Sequence, residues 1–408
     1  MTGLSSISTV ARRCCLVIAV VLALAACGAG GGAELNTGSP GTATQGTCAR
    51  VSRTPLPGPS HPTVVLVVDN TSSGPVSTLP SSATNVLQRE QAAQAQLVIL
   101  GVNGAAVNPR LVADVTLDPD PGQTSREADA ARAIALACVP RWITSEAAMP
   151  TRPGSDILGA VDAAIRRAPN QIIVMSDGLD NVGPLDLNKI GYGNDPGSVV
   201  ASLNAMDAID HVTGSPPVLW ADLGVSAKPL PGTVRSSLKL LWAAILRNAG
   251  ASAKFAPDET QAGPHRSGAP ADVVQLPAVS TASSGCVTTV TVPTDLLFRP
   301  GDAHLQAATG LLDSVRNQML SHPHSTALIG GHTAAYGSAA YQKDLSVARA
   351  QAVAQALETD GIPEDRLRVA GYGSTRPTVN EFPGGRHDLA AAARNRRVTI
   401  TITEDGCA

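Results

Sequence analysis

Two apolar runs that each end in an aspartate constrain the fold of this chain most strongly. Residues 63–69 read TVVLVVD, and residues 171–177 read QIIVMSD. Short apolar runs rich in β-branched residues are typical of strands buried on both faces of a parallel sheet. The sequence predicts further strands at 95–104 and 216–225, and helices at 82–94, 125–138, 157–167 and 234–249. Strands that alternate with helices indicate an α/β doubly wound domain with an open sheet.

The loop after the first predicted strand carries oxygen side chains at alternate positions. It reads DNTSSG, so Asp69, Thr71 and Ser73 can lie on one side of an extended loop. In open α/β sheets, ligands bind beyond the carboxyl ends of the strands, where Asp69 and Asp177 are both expected. Oxygen ligands suit Mg²⁺, Mn²⁺ or Ca²⁺. The sequence therefore predicts a divalent-cation site at this edge of the sheet.

These residues resemble the metal-ion-dependent adhesion site of von Willebrand factor type A domains. That family has the pattern D-x-[ST]-x-S, then a threonine in a loop, then an aspartate at the end of a later strand. The resemblance covers roughly residues 60–260 and assigns the ligands to Asp69, Thr71, Ser73, Ser155 and Asp177.

Ser155 keeps the hydroxyl of the family's threonine, and Thr151 is the alternative for that position. Asp180 and Asn181 are expected to support local turn geometry rather than to bind metal. The resemblance implies that a bound cation keeps one position open for the carboxylate of a protein partner, which the sequence does not identify. The alternative hypothesis is a scaffold of this type whose site is empty.

A different pattern begins at Cys286 and predicts a compact α+β domain. Residues 286–293 alternate in polarity, as in a half-buried strand. Residues 303–320 carry apolar side chains at spacings of three and four, which predicts a helix. Further strands are predicted at 325–333, 367–373 and 396–403, and a second helix at 345–361, with Gly361 as its stop.

Four segments of this region resemble the OmpA C-terminal (peptidoglycan-associated) domain, in the family's order. They are TDLLFRPGDAHL, GGHTAAYGSAAYQKDLSVARAQAV, GYGSTRPTV and NRRVTI, spread over roughly the last 120 residues. The resemblance implies an OmpA-like fold and binding to the diaminopimelate of peptidoglycan, with contacts from Thr333, Gln342 and Arg349.

The expected diaminopimelate site is incomplete. A zwitterionic amino-acid head needs a carboxylate for its ammonium group and a guanidinium for its own carboxylate. Arg349 matches the family's arginine, but Ala334 stands where the family has aspartate, and Gln342 replaces an asparagine. One hypothesis is weaker binding, or binding to a ligand whose amine is already an amide. The other is a scaffold in which Arg349 forms a structural ion pair.

The N-terminus resembles that of a bacterial lipoprotein. Arg12 and Arg13 precede an apolar run at 14–26 that is too short to span a bilayer. The run ends in LAAC, which resembles a lipobox and implies cleavage before Cys27 and acylation of its thiol. The predicted order begins with a signal peptide at 1–26 and a flexible tether at 27–59. A von Willebrand factor A-like domain follows at 60–257, then a linker at 258–285 and an OmpA-like domain at 286–408. The linker is predicted to contain an edge strand near 273–276.

Four cysteines remain after the signal peptide and Cys27 are set aside, and they are Cys48, Cys138, Cys286 and Cys407. An even number in an exported chain predicts two disulfides, for which three pairings exist. The domain boundaries favour one bridge per domain, Cys48–Cys138 and Cys286–Cys407.

Composition excludes some classes of function. The formal net charge is −3 and there is no basic block, so nucleic acid is not an expected partner. The sequence contains no nucleophile elbow, zinc-protease helix or phosphate-binding loop, so an enzyme is not predicted. The sequence predicts a membrane-anchored lipoprotein on the extracytoplasmic side of the cell envelope. Its expected partners are peptidoglycan, the membrane and an unknown protein; the alternative is a scaffold that binds neither peptidoglycan nor metal.

Overall fold

Two β-sheets, each with its own helices and core, make up the described part of the chain. The computed structural model describes residues 44–74, 76, 78–105, 107–257, 273–306 and 310–404. Within these residues, the first sheet has the strand order β3-β2-β1-β4-β5-β6. The strands are β1 Thr63–Val68, β2 Gln96–Gly101, β3 Arg110–Thr116, β4 Gln171–Met175, β5 Pro217–Ala221 and β6 Ser252–Phe255.

All neighbouring strands of this sheet are parallel except β3, which pairs antiparallel with β2. The helices are α1 Gln45–Val51, α2 Ser81–Ala92, α3 Arg126–Ile143, α4 Ile157–Ile165, α5 Leu187–Ile190, α6 Pro196–Ala205 and α7 Gly232–Asn248. The prediction of an open doubly wound α/β sheet is confirmed.

The central strand β1 shows why its residues are apolar on both sides. Val65 and Val67 pack in a core with α4, α6 and α7. Val64 and Leu66 pack on the opposite face, in a core with α2 and α3. Because side chains of a strand alternate between faces, a strand covered by helices on both faces has no solvent-facing position.

The predicted flexible tether is wrong at its C-terminal end. Residues 45–51 form α1, whose N-cap Thr44 accepts a hydrogen bond from the Thr47 amide. A disulfide of 2.05 Å joins Cys48 of α1 to Cys138 of α3, which confirms this predicted pairing. Cys48 and Val51 are buried against α3 in a small apolar cluster, so this segment is packed on the domain. The predicted lipidation site Cys27 lies outside the described residues.

The second sheet has the strand order β10-β9-β11-β8-β7. Its strands are β7 Ser280–Ser284, β8 Val287–Pro293, β9 Thr326–His332, β10 Leu367–Gly371 and β11 Arg397–Thr403. Only β10 and β9 run parallel among the described pairs. The helices α8 Asp313–Ser321, α9 Ala339–Thr359 and α10 Leu389–Asn395 accompany this sheet, and α8 and α9 enclose the core with it. The predicted compact α+β unit is confirmed.

The helix predicted at 303–320 begins ten residues late. Asp302 Oδ1 accepts hydrogen bonds from the amides of Ala303 and His304, at 2.7 and 2.9 Å, and this local turn competes with a helix start. Gly310 has a φ of +87°, which also interrupts a helix. Leu305 still packs against the core, together with Leu312, Val315 and Met319 at and within α8.

The predicted linker is partly structured. Residues 258–272 lie outside the described residues. The edge strand predicted near 273–276 is wrong, because this segment forms no strand and instead binds the side chain of Asn188. Asn188 Nδ2 donates to Val273 O, and Asn188 Oδ1 accepts from the Gln275 amide. The last part of the predicted linker forms β7, the edge strand of the second sheet.

Cys286 precedes β8 and is disulfide-bonded. Its predicted partner, Cys407, lies outside the described residues. The Glu404 amide donates to Cys286 O at 3.0 Å, so the start of β8 adjoins the end of β11, as the predicted pairing requires. In the part of the chain that the structure describes, no helix has the length and apolar character needed to cross a membrane.

Candidate functional site

The first candidate site is a cluster of hydroxyl and carboxylate groups at the carboxyl edge of the first sheet. Thr71 Oγ1 donates to Asp69 Oδ1 at 2.6 Å and lies 3.2 Å from Ser73 Oγ. Ser155 Oγ, from the loop before α4, donates to Thr71 Oγ1 at 2.8 Å. The structure therefore brings four of the five predicted ligands into one hydrogen-bonded chain.

The fifth predicted ligand, Asp177, adjoins this loop. A Cβ atom added at Gly74 would lie 2.8 Å from Asp177 Oδ2, so glycine permits the close approach of the loop to the carboxylate. Asp177 Oδ1 accepts a hydrogen bond from the Leu179 amide at 2.9 Å. Ser176 Oγ donates to Asp69 Oδ2 at 2.7 Å, an anchoring contact that the sequence pattern did not indicate.

Three neighbouring residues have structural contacts instead. Asp180 Oδ2 accepts from the Leu158 amide at 2.7 Å, and burial raises the pKa of Asp180 well above its ordinary value. Asn181 Oδ1 accepts from the Ser155 amide at 2.8 Å and so fixes the loop that carries Ser155. Thr151, the alternative to Ser155, binds Asn103 Oδ1 and has no hydrogen bond to the cluster among the described residues.

The donor set of the cluster suits a hard cation. It consists of two carboxylates and three hydroxyls, all oxygen, and each of the five residues is at least nine-tenths buried. Within the described ranges, no group of three or more His, Cys, Asp or Glu residues is placed to hold a metal. A cation at this cluster would therefore depend on hydroxyl ligands, and its binding stays a prediction.

The second candidate site is a cavity of about 60 Å³ between the two domains. All three residues predicted to contact peptidoglycan line it, and so does Ala334. The first domain contributes the segment between α5 and α6. The lining residues used below are Thr333, Ala334, Gln342, Arg349, Asp195 and Arg396.

Arg349 is almost completely buried on α9. Its Nε donates to Asp302 O at 2.8 Å, its Nη2 donates to Arg299 O at 3.5 Å, and its guanidinium lies 5.3 Å from the centre of the Phe298 ring. Burial, and to a smaller extent the nearby charge of Arg396, lower the pKa of Arg349 to about 10. Within the described part of the chain, no carboxylate lies within ion-pair distance of Arg349. Arg349 therefore does not form the structural ion pair of the scaffold hypothesis with any carboxylate of the described residues.

The two other predicted contact residues flank this arginine. Gln342 Nε2 donates to Gly337 O at 3.0 Å, and its Oε1 accepts from Ser374 Oγ. The amide of Thr333 donates to Gly373 O at 2.9 Å. The Thr333 hydroxyl is buried and has no hydrogen-bond partner among the described residues, although it lines the cavity. A cavity-lining hydroxyl of this kind is free to bind a ligand.

A polar interface closes the cavity from the side of the first domain. Asp295 Oδ2 accepts from the amides of Tyr192 and Gly193, at 3.0 and 2.9 Å. Arg396 Nη1 donates to Asn194 Oδ1 at 2.6 Å, and Arg396 Nε lies 3.7 Å from Asp295 Oδ1. A Cβ at Gly193 would lie 2.1 Å from Asp295 Oδ1, so any other residue there would displace the Asp295 carboxylate.

Sequence analysis missed these interface residues as functional candidates. Asp295 and Arg396 lie within motifs that resemble the OmpA domain, and Asp195 followed by Pro196 is a recognisable helix start. Each of these sequence patterns describes only its own segment. None of them indicates that Asp195 and Arg396, from different domains, line the same cavity. Both domains fall within one compact unit, Gly41–Ala408.

The second sheet and its helices form a small α+β domain, and comparison with known proteins shows which family it is similar to. Residues 297–388 match the OmpA family. The peptidoglycan-associated lipoprotein of Legionella pneumophila is 37% identical over 105 residues, which cover 25% of this chain and 56% of that protein. The probable lipoprotein YiaD of Escherichia coli is 30% identical over 134 residues, which cover 32% of this chain and 58% of that protein.

Among solved structures, the peptidoglycan-associated lipoprotein from Burkholderia pseudomallei is 28% identical and has a TM-score of 0.24. The match covers 26% of this chain and 87% of that one. The chain spans 56% and 34% of the first two curated relatives that it matches, the second being outer membrane protein P5 of Haemophilus influenzae. The C-terminal part of the chain is an OmpA-like domain.

Proposed function

We propose that this chain is a non-enzymatic protein of the cell envelope that binds peptidoglycan through its OmpA-like domain. The observation that carries the proposal is the buried guanidinium of Arg349 at the wall of the cavity. Its Nε and Nη2 are held by backbone carbonyl groups, and neither bond uses Nη1. A ligand carboxylate placed in the cavity would supply the negative charge that this buried cation lacks.

The chemistry of the cavity fits the carboxylate of a diaminopimelate head. Thr333 adds a buried hydroxyl that has no partner among the described residues, and Gln342 is held in place by Gly337 and Ser374. Relatives that match this region include a protein named peptidoglycan-associated lipoprotein. Ala334 removes one charged contact, which costs about 1–3 kcal/mol when the ligand's ammonium is left unpaired, so affinity falls about tenfold or more.

The proposal includes a lipid anchor at Cys27, which rests on the LAAC sequence at residues 24–27. Acylation there would hold the chain at the extracytoplasmic side of a membrane, within reach of the cell wall. A relative named as a probable lipoprotein supports this part of the proposal.

Co-sedimentation of the protein with purified sacculi tests the peptidoglycan proposal. Arg349→Ala removes the cation and is expected to reduce binding at least tenfold, whereas Arg349→Lys keeps the charge, loses the fork geometry and should bind at an intermediate level. Arg368→Ala is a matched control, because Arg368 is exposed on β10 and does not line the cavity.

Thermal melts must accompany this assay, because Arg349→Ala also leaves two backbone carbonyls without their donor. The proposal fails if folded Arg349→Ala and Arg349→Lys proteins sediment with sacculi as well as the wild type does. Binding to sacculi would then not depend on the Arg349 cavity. If wild-type protein itself does not sediment with sacculi and binds no divalent cation, the scaffold that binds neither peptidoglycan nor metal is the better explanation.

We also propose that the first domain resembles von Willebrand factor A domains in function and binds a divalent cation at Asp69, Thr71, Ser73, Ser155 and Asp177. The hydrogen-bonded chain from Asp69 to Ser155 and the approach of Gly74 to Asp177 support this proposal. With the cation bound, an unidentified protein partner would contribute a carboxylate ligand.

Isothermal titration calorimetry with Mg²⁺ and Mn²⁺ tests the cation site. Wild-type protein is expected to bind one ion, and Asp69→Asn should lose that binding because it removes a carboxylate but keeps the acceptor for Thr71. Thr151→Ala should bind like the wild type, since Thr151 contacts Asn103 instead. No heat with wild-type protein, or unchanged binding by Asp69→Asn, would show an empty scaffold.

A further inference from the structure

The cavity beside Arg349 contains a second buried guanidinium, that of Arg396, whose Nε lies 3.7 Å from Asp295 Oδ1. Burial lowers the pKa of this second arginine. Arg396 Nη2 is buried and has no hydrogen-bond partner among the described residues. Asp295 lies near Arg396, but its Oδ2 is occupied by two amides of the first domain. Two buried guanidinium groups thus face a space that can take an anionic group.

The first domain places a carboxylate at the same cavity. Asp195 is the N-cap of α6, and its Oδ1 accepts from the Ser198 amide at 2.9 Å. Tyr336, from the loop after β9, hydrogen-bonds to Asp195, and this bond raises the pKa of Tyr336. Asp195 is therefore linked to the same loop that carries Ala334, two residues before Tyr336.

Glu381 is the other carboxylate near this loop, but its oxygens are already used. Its Oε2 accepts from the Ala335 amide at 2.7 Å, and its Oε1 accepts from Asn395 Nδ2 at 2.8 Å. Glu381 is 5% exposed and does not line the cavity. Its contacts fix the loop, whereas Asp195 is only partly buried and does line the cavity.

We propose that the cavity is a composite ligand site in which Asp195 of the first domain supplies the carboxylate that position 334 lacks. In this site the ammonium group of a zwitterionic amino-acid head binds Asp195, and its carboxylate binds Arg349. The inference rests on the proposed peptidoglycan function and identifies a second contact, from the other domain, for the same ligand. Ligand binding would then strengthen the packing of the two domains, because the ligand bridges them.

Isothermal titration calorimetry of the full chain with two peptides tests the composite site. One peptide ends in diaminopimelate with a free side-chain amine, and the other is identical but acetylated at that amine. Asp195→Asn removes the charge and keeps the helix cap, since asparagine caps helices as well as aspartate. We expect Asp195→Asn to weaken binding of the free-amine peptide about tenfold and to leave the acetylated peptide unchanged.

A rescue variant and a control make the result specific. The double variant Asp195→Asn with Ala334→Asp should recover most of the lost affinity, because the carboxylate returns from within the OmpA-like domain. Asp207→Asn removes a charge just beyond the end of α6 and does not line the cavity, so it should bind both peptides like the wild type.

The possible failures separate the two proposals. If wild-type protein binds neither peptide, the proposed function and the composite site both fail. If wild-type binding depends on Arg349 but Asp195→Asn binds both peptides unchanged, the function stands and the composite site is refuted. Equal affinity of the wild type for the two peptides also refutes the composite site, because no carboxylate would then bind the charged amine of the ligand.

Discussion

At the scale of single residues, Arg349 shows how backbone and aromatic groups can stabilise a buried cation that has no carboxylate partner among the described residues. Burial penalises its charge, yet backbone carbonyls of Asp302 and Arg299 and the face of Phe298 partly replace the lost water. A neutral apolar side chain would fill the same space without this cost. The retention of a charged group that lacks a protein carboxylate partner within the described residues is what favours a binding role for Arg349.

His332 gives a prediction for the dependence of stability on pH. It is buried beside Tyr372, and burial together with the charges of Arg397 and Arg376 lowers its pKa from 6.5 to about 4. Between these values the unfolded chain binds a proton that the folded chain does not. Stability is therefore complete above pH 6.5 and falls as the pH drops towards 4, by about 2–3 kcal/mol in total from this residue.

Urea unfolding at pH 7 and pH 4.5 checks this expectation. His332→Gln keeps an amide nitrogen near Thr399 and cannot titrate, so it should lose less stability than the wild type over this interval. Acidic residues titrate in both proteins and cancel in the comparison. Equal losses in the two proteins would contradict the assignment.

At the scale of elements, the sequence was most informative where one environment covers a whole segment. β1 and β4 are buried on both faces, so their apolar runs predicted them well. β3 and β6 lie at the sheet edges and carry mixed side chains, so no strong period marked them. Burial sets the hydrophobic pattern, and a half-exposed edge strand leaves a weak one.

Local hydrogen bonds explain the elements that sequence periodicity placed wrongly. The apolar spacing at 303–320 is typical of a helix, but Asp302 forms a turn at its start and the helix begins only at Asp313. The short helix α1 was hidden in a Gly-, Ser- and Thr-rich stretch, and its disulfide to α3 holds it against the domain. A hydrophobic pattern shows neither a side chain that competes for backbone hydrogen bonds, such as Asp302, nor a disulfide that holds a short helix in place.

At the scale of the whole molecule, the candidate sites differ in how far the sequence could indicate them. The oxygen cluster combines three segments whose order resembles one known family pattern, so its five residues were predicted together. The cavity depends on contacts between residues far apart in the chain, such as Arg396 with Asn194. Docking of two domains is decided by complementary surfaces, which a single sequence does not display.

The walls of the cavity come from both domains, so a carboxylate elsewhere than position 334 can line it. The arginine side of the site lies within the OmpA-like domain, whereas the opposite wall comes from the segment that leads into α6. A ligand bound in this cavity would therefore contact groups from both domains.

Backbone amide NMR of the full chain, titrated with a peptidoglycan fragment that contains diaminopimelate, tests most directly whether peptidoglycan binds at the Arg349 cavity. We expect shifts at the amides of Thr333, Ala334 and Gln342 in wild-type protein, and smaller shifts in Arg349→Lys at the same sub-saturating ligand concentration. Shifts at Gly193 and Asp195 should accompany them if the first domain takes part. The absence of shifts in wild-type protein, or equal shifts at these amides in Arg349→Lys, would contradict the claim that peptidoglycan binds at the Arg349 cavity.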